Sequence, residues 1–592
     1  MNEELKSIWK KSLQSWGWLV AWLILFGVAS VIVFAISAVL NPMHDWSDWF
    51  GLGAFSFIVG AVVATVFLGL WLFLRWIRCR KNFQRFLFGC ACLATLAAIF
   101  YAEEDWRGWH DWQKFKSQWE AKGERFDWAS IVPPTVPDDE NFALAPIWVE
   151  SMKAILGPQN SLPWFGSYAE EGHTNFVDRL NMPIAGNDDE PTNGYWPKAT
   201  LTDLKPWQDY YRTLAAKTNL FPVAPQPQTP AQDVLLALSK YDPTVEELRQ
   251  DAKRPYSRFP LDYGRDDAWE ILLPHLAELK RCSRLLELRA IAELQNGQND
   301  KALADIKLSF RLIDAIRTEP FLISHLVRIA MLQITLQPVY EGLAEHQWSE
   351  AQLAELDAEL GKLDFLVDYQ VSIRGERSLD VSAVELLQHM DRHRFNEFMG
   401  NFNGDQSQSS FIPFSIFHMI PSGWLYQNEL RVCRFSVTQY LPLVDETART
   451  VSPAAVRAAG NAYKKEIQHR TPDTFLESWL LPDLGNAAKK FAYAQESADL
   501  ARVAIALERY RAALGVYPDS LDVLSPKFID AVPADIIGGQ PLHYRRTSNG
   551  RFILYSIGWN GRDDGGTIVY EKGSFKMVDT DRGDWVWQYP AN

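Results

Sequence analysis

Cysteine is scarce in this 592-residue chain: there are five, and Cys79, Cys90 and Cys92 crowd into the first hundred positions. A disulfide-built scaffold is therefore excluded. Only Cys282 and Cys433 lie further on, and one disulfide or two buried free thiols fit them equally well. The common catalytic signatures are also missing. There is no G-x-S-x-G nucleophile elbow, no G-x-x-x-x-G-K, no G-x-G-x-x-G after a strand and no C-x-x-C pair. Positive charge is short as well. Residues 1–101 hold eight basic and four acidic side chains, so the net charge of −14 leaves −18 for the remainder. An acidic surface without a basic stripe repels phosphate backbones, so nucleic acid is not an expected partner.

Charge is also absent from the middle of three long apolar runs, Trp16 to Leu40, Phe50 to Trp76 and Phe86 to Ala102; Arg75 lies at an edge. A helix needs roughly 20 residues to cross a bilayer, and the third run, with 17, is at the lower limit. Three transmembrane helices are expected. A cleavable signal peptide does not fit the first, because its apolar core is too long and no small-residue cleavage site follows. Lys6, Lys10 and Lys11 precede the first span, and Arg75, Arg78, Arg80, Lys81 and Arg85 lie around the second loop. The first loop has Asp45 and Asp48 and no Lys or Arg. Positive residues gather on the cytoplasmic side, so this pattern puts the N-terminus inside and everything after Ala102 outside. The expected location is the inner (cytoplasmic) membrane, with a periplasmic or extracytoplasmic C-terminal part. Tryptophans 16, 18, 46, 49, 71, 76, 106, 109 and 112 flank the spans, as rings at the headgroup level do.

Beyond the spans, Trp112, Phe115 and Trp119 share one helical face, and Gly123 ends that helix. Pro133, Pro134 and Pro137 break the chain before a helix expected from Asn141. Residues 157–230 are rich in Pro, Gly, Asn, Asp and aromatics, which reads as irregular structure around one helix, Leu201 to Leu220. From Asp266 to Leu363 the pattern is helical. Leu285, Leu288 and Ala290 lead through Gly297 to Ala302, a helical hairpin that resembles a tetratricopeptide repeat, although Pro320 comes late for that spacing. A single unit cannot bury the faces of a repeat array, so a bundle or solenoid-like domain is expected. Helices continue over Leu353 to Leu363, Val381 to Phe398 and, with breaks, Leu425 to Gln468; Asn401 to Ser410 reads as a loop.

His389 and His393 offer the spacing of two zinc-chelating imidazoles on one helix turn. Met390, however, occupies the place of a zinc peptidase's glutamate. Two exposed histidines are the plainer reading. The acidic runs Asp138 to Glu140 and Asp188 to Glu190 read as solvated turns. Tyr195, Trp196, Trp207, Tyr210 and Tyr211 form either a sugar-stacking platform or, more simply, core.

Near the C-terminus, Leu500, Val503, Leu507, Tyr510 and Leu514 alternate spacings of three and four, giving one apolar helix face. Gly515 supplies a left-handed cap, and Pro518 blocks continuation. Leu542 to Arg546 and Phe552 to Ile557 read as strands around a Ser548-Asn549-Gly550 turn. Two acidic clusters follow, Asn560, Asp563 and Asp564, then Asp579, Asp581 and Asp584, in which paired loops supply the oxygens a hard cation takes. The stretch from Arg509 through Tyr555-Ser556-Ile557-Gly558-Trp559-Asn560-Gly561 to Asp579-Thr580-Asp581-Arg582-Gly583-Asp584-Trp585 resembles the globular domain of the G-type major pseudopilin of type II secretion systems. The resemblance covers under a fifth of the chain and implies a helix-plus-sheet module with a calcium site. Asn560 stands where that family has an aspartate, and residues 567–578 lengthen its loop.

The expected fold class is mainly α, with three transmembrane helices, a large helical bundle or solenoid-like ectodomain and a small C-terminal α+β domain. The expected segments are 1–102, 103–230, 231–484 and 485–592. The expected function is a membrane-anchored interaction or assembly protein of the bacterial envelope, with the bilayer and an envelope protein as partners. An extracytoplasmic hydrolase of envelope polymer, or an accessory of a secretion or pilus-like apparatus, is the alternative.

Overall fold

The computed structural model describes residues 3–40, 46–149, 152, 191–218, 220–265, 267–403, 414–468, 471, 476, 484–571 and 577–590. It is mainly helical, 66% helix against 6% strand, with the sheets small and, apart from one short hairpin, near the C-terminus. The chain divides into two units, Met1–Glu103 and Glu104–Asn592.

The first unit holds α1 (Glu3–Leu40), α2 (Trp46–Ile77) and the first part of α3 (Arg80–Glu120). α1 and α2 pack closely because small residues meet. A methyl at Gly60 would lie 2.0 Å from Ser30 Oγ, and Ala64 is fully buried. Trp22 Nε1 donates to Thr65 Oγ1 at 3.1 Å, and Phe26 meets Phe57 edge-on. The outer faces of α1 to α3 carry exposed Leu, Ile, Val and Phe, as helices facing lipid do. Among the described residues four helices, not three, are long and apolar enough to cross a membrane. The fourth, Leu322–Ala344, has 61% of its apolar window buried and carries buried His325, Arg328 and Glu341, which mark it as a core helix of the second unit.

In the second unit, single turns aside, the helices are α4 (Lys205–Thr218), α5 (Pro230–Leu238), α6 (Asp242–Asp251), α7 (His275–Gln295), α8 (Asn299–Asp314) and α9 (Leu322–Ala344). They continue with α10 (Glu350–Leu360), α11 (Phe365–Leu387), α12 (Arg392–Asn403), α13 (Ser422–Phe435), α14 (Pro453–Gln468) and α15 (Gly485–Leu514). Local chemistry sets their ends. Thr229 with Gln232 and Ser349 with Gln352 form capping boxes, and Pro230 occupies the first turn, where its missing N–H costs nothing. Gly515, at φ 84°, ends α15 as expected. Gly297 has φ 71°, and nothing lies within 4 Å of a Cβ placed there. It serves the turn between α7 and α8, and close helix approach falls to the fully buried Ala302.

α15 is the central strut. It packs on α9, α10, α11 and α14, and its Ala-rich surface is buried on nearly every side from Ala487 to Glu508. One continuous core runs from Trp112 to Tyr589, so residues 103–230, 231–484 and 485–592 share it. Beyond α15, β3 (His543–Arg546), β4 (Phe552–Ser556) and β7 (Trp585–Gln588) form an antiparallel sheet in the order β3-β4-β7. Tyr544 faces Leu554, and Leu554 faces Trp587. β5 (Ile568–Tyr570) and β6 (Val578–Gly583) make a separate ribbon; β1 (Val444–Asp445) and β2 (Thr450–Val451) are a short hairpin.

Several expectations change. The segment expected as one helix over Val381 to Phe398 breaks after Leu387, because Asp391 Oδ1 accepts the backbone N–H groups of His393 and Arg394 and starts α12. The helix expected from Asn141 opens with a 3-10 turn, Phe142–Leu144, and the chain is α-helical over 146–149. Residues 404–410 of the expected loop, and the acidic run 188–190, lie outside the described residues.

Candidate functional site

A concave site lies where α6 faces α7 and the start of α8. Asp242, Glu246 and Arg249 stand at spacings of four and three along α6; Arg289, Glu293 and Asn296 repeat those spacings along α7. Each triplet therefore forms one stripe, and the two line a cleft of about 490 Å³, with Lys301 of α8 and Gln232 of α5 at its margin.

Asp305 of α8 is the anchor behind it. Fully buried, it accepts from Arg289 Nε at 2.9 Å and also from Arg249, while Arg289 reaches Asp242 with another nitrogen. The two guanidinium groups are held rigidly by the charge they share, as buried ions must be. Glu293 sits 3.6 Å from Arg289 Nη2, is 2% exposed, and has one oxygen, Oε2, without a hydrogen-bond partner among the described residues. Burial, reinforced by the charge of Asp305 and opposed by Arg289, Arg249 and Lys301, pushes its carboxyl up to about 8. The cleft thus brings a carboxyl whose neutral form burial favours together with Arg249, Arg289, Lys301, Asp242 and Glu246, a set that can hydrogen-bond a polar ligand. The sequence signal was the paired four-three spacing, but D-x-x-x-E-x-x-R on a helix also describes an ordinary solvated face.

The acidic residues of the tail fall into two sets. Asn560, Asp564 and Asp584 gather at one loop: Asn560 Nδ2 donates to Asp564 Oδ2 at 2.7 Å. Asp584, 1% exposed, accepts the backbone N–H groups of Asp564 at 3.2 Å, Gly566 at 2.7 Å and Thr567 at 3.2 Å. Asp563 accepts from the Tyr555 hydroxyl at 3.0 Å. Asp579 and Asp581, on β6, instead pair with Arg582 at 2.5 Å and Lys489 at 2.5 Å. Among the described residues, no three His, Cys, Asp or Glu side chains are placed to hold one metal ion. The loop half is tied up in its own hydrogen bonds; the strand half is engaged with cations.

The remaining candidates resolve simply. His389 is exposed beyond the end of α11 and His393 lies on α12, so no shared helix turn joins them. Trp196, Trp207 and Tyr211 are buried and belong to the core. Asp138, Asp139 and Glu140 are exposed. Cys282 and Cys433 are both buried and free, and burial pushes both thiols up. No family model, characterised protein or solved structure matches this chain.

Proposed function

We propose that the chain is a membrane-anchored interaction or assembly protein of the bacterial cell envelope, whose residues 104–592 stand outside the cytoplasmic membrane and offer the α6–α7 cleft to a partner. The observation that carries this is the cleft lining. Arg249, Arg289 and Lys301 face Asp242, Glu246 and Glu293, with amides between them, a set of donors and acceptors suited to recognising a polar chain. A photo-crosslinking amino acid at Gln298, on the cleft, is expected to give a discrete adduct in cells, lost with Lys301→Glu and absent from the same probe at Asp519. Equal adducts at both positions would sink the proposal.

A hydrolase is the second reading, favoured by Glu293. A carboxyl pushed up by burial to about 8, lining one cleft with Asp242 and Glu246, is the kind of unequal carboxyl pair that glycoside hydrolysis uses. Turnover of purified envelope glycan that Glu293→Gln abolishes would establish it; no turnover leaves recognition.

A pseudopilin-like tail that serves a secretion or pilus-like apparatus belongs to the same proposal, supported by a glycine-capped helix running into an antiparallel sheet. Calcium is part of it. Asn560, Asp563, Asp564 and Asp584 supply loop oxygens, and Asp579 and Asp581 complete the set once Arg582 and Lys489 exchange for the cation. Binding to the folded state alone adds about 2.7 kcal/mol at a hundredfold excess over the dissociation constant. Melts of the full-length protein should rise with millimolar calcium over chelator, and Asp581→Ala should remove the increase. Coincident melts would remove the metal.

A further inference from the structure

On the other side of Arg249, a second groove of about 340 Å³ opens between α6, α8 and α10. Arg249, Lys253, Lys307, Arg311 and Lys362 line it, against only Asp314 and Glu359. Asp305 takes up the charge of Arg249, so four cations face two carboxylates in this concavity, a local reversal of sign in a chain of net charge −14 whose residues 102–592 carry the whole acidic excess. Low-dielectric walls focus such a field on whatever enters.

Arg311 fixes one end. Its guanidinium donates to the carbonyls of Ala252 at 3.4 Å, Arg254 at 2.9 Å and Tyr256 at 3.1 Å, and lies 4.6 Å from the centre of the Phe142 ring. Nη1 makes no hydrogen bond within the described residues, and the nearby carboxylate of Asp314 is 3.8 Å away. Burial holds this guanidinium below its ordinary value, because its charge is incompletely matched. Lys307 and Lys362 pair with Glu355 and Glu359, all four half-exposed or partly so. Such pairs contribute little and exchange readily for a better anion. Between the charges its lining is apolar, made by half-buried Ala304 and the edges of the buried Leu308, Phe310 and Leu363.

We propose that this groove binds an acidic segment of a partner protein, its carboxylates on the lysines and Arg311 and its aliphatic or aromatic side chains on the Leu308–Phe310–Leu363 lining. Charge complementarity selects an anion. The apolar lining selects a peptide over a phosphate polymer, which has no side chains to place there. The inference deepens the interaction reading and rests on it.

The test uses the full-length protein in lipid nanodiscs with short fluorescein-labelled peptides in which Asp or Glu alternates with Leu, Phe or Gly. Saturable binding is expected, strongest with Leu or Phe, weakened by salt and lost when Lys replaces the acids. The triple variant Lys253→Gln, Lys307→Gln, Lys362→Gln should weaken binding roughly tenfold or more with an unchanged melting temperature. All three lysines carry exposed ammonium groups outside the core, so folding is preserved. No saturable binding, equal binding of the lysine peptides, or insensitivity to the triple variant would each overturn the proposal. So would displacement of the acidic peptide by polyphosphate or by phosphatidylglycerol vesicles at lower concentration. Loss of peptide binding with the Gln298 adduct intact removes only this inference; loss of the adduct removes the interaction reading.

Discussion

Glu508 shows how a single carboxylate is made to hold one corner of the fold. It lies on the last turns of α15, buried at 2% exposure, and accepts from His346 at 2.8 Å, Arg511 at 2.6 Å and the Tyr517 hydroxyl at 2.8 Å. Burial alone would raise its carboxyl. The hydrogen bonds from His346, Arg511 and Tyr517 outweigh it and hold the group down at about 2. A folded-state value below the unfolded one means stability that is present above the ordinary glutamate range and is lost as pH falls toward 2. That contribution is on the order of 3 kcal/mol. Glu508→Gln should therefore melt well below the parent protein at pH 7, with the gap closing as pH falls from about 4.5 toward 2. A gap that stays constant over that window would show that packing, not charge, is what the substitution removes. The sequence offered Gly515 and Pro518 as the end of the helix. It could not show Glu508 beneath them, because His346 is remote in the chain and meets it only in the folded core.

At the scale of elements, what was legible followed local rules. Leu542 to Arg546 and Phe552 to Ile557 read as a hairpin because two short strand-like runs flank the Ser548-Asn549-Gly550 turn, and the observed strands, His543–Arg546 and Phe552–Ser556, fall within those bounds. α15 was legible as a helix but not as a central one. Its large apolar residues mark one face, while Ala498, Ala501, Ala504 and Ala506 bury the others without leaving a periodic signal. The cleft was illegible for a related reason: Asp242, Glu246 and Arg249 become part of a site only because Asp305, on another helix, binds Arg249 and Arg289 together. The α7–α8 hairpin gives the test at this scale. Ala302 has no exposed surface, so Ala302→Leu forces its added atoms into a filled contact and should cost roughly 1 to 3 kcal/mol in the full-length protein. An unchanged melting temperature would show that the helices can part there without loss.

For the whole molecule, the sequence predicts an orientation and carries its own reporter of it. Lys and Arg alternate with the apolar runs, dense before the first and between the second and third and absent between the first and second, and such asymmetry sets the sidedness of short loops. The exposed Cys79 lies in the basic stretch between α2 and α3, whereas Cys282 and Cys433 are buried and withheld from reagents. Asp519 is 93% exposed in its side chain and far along the chain from the spans. A membrane-impermeant maleimide should label Asp519→Cys in intact, outer-membrane-permeabilised cells, and should reach Cys79 only after lysis. The step most open to failure is the third apolar run, with its 17 residues at the lower limit for a span. Were that run to lie along the interface instead, Asp519→Cys and Cys79 would share one side, and both would stay unlabelled until lysis. Labelling of Cys79 alone in intact cells would invert every span. The two residues together therefore distinguish three arrangements in one experiment, and only the first leaves the cleft and the basic groove facing the envelope.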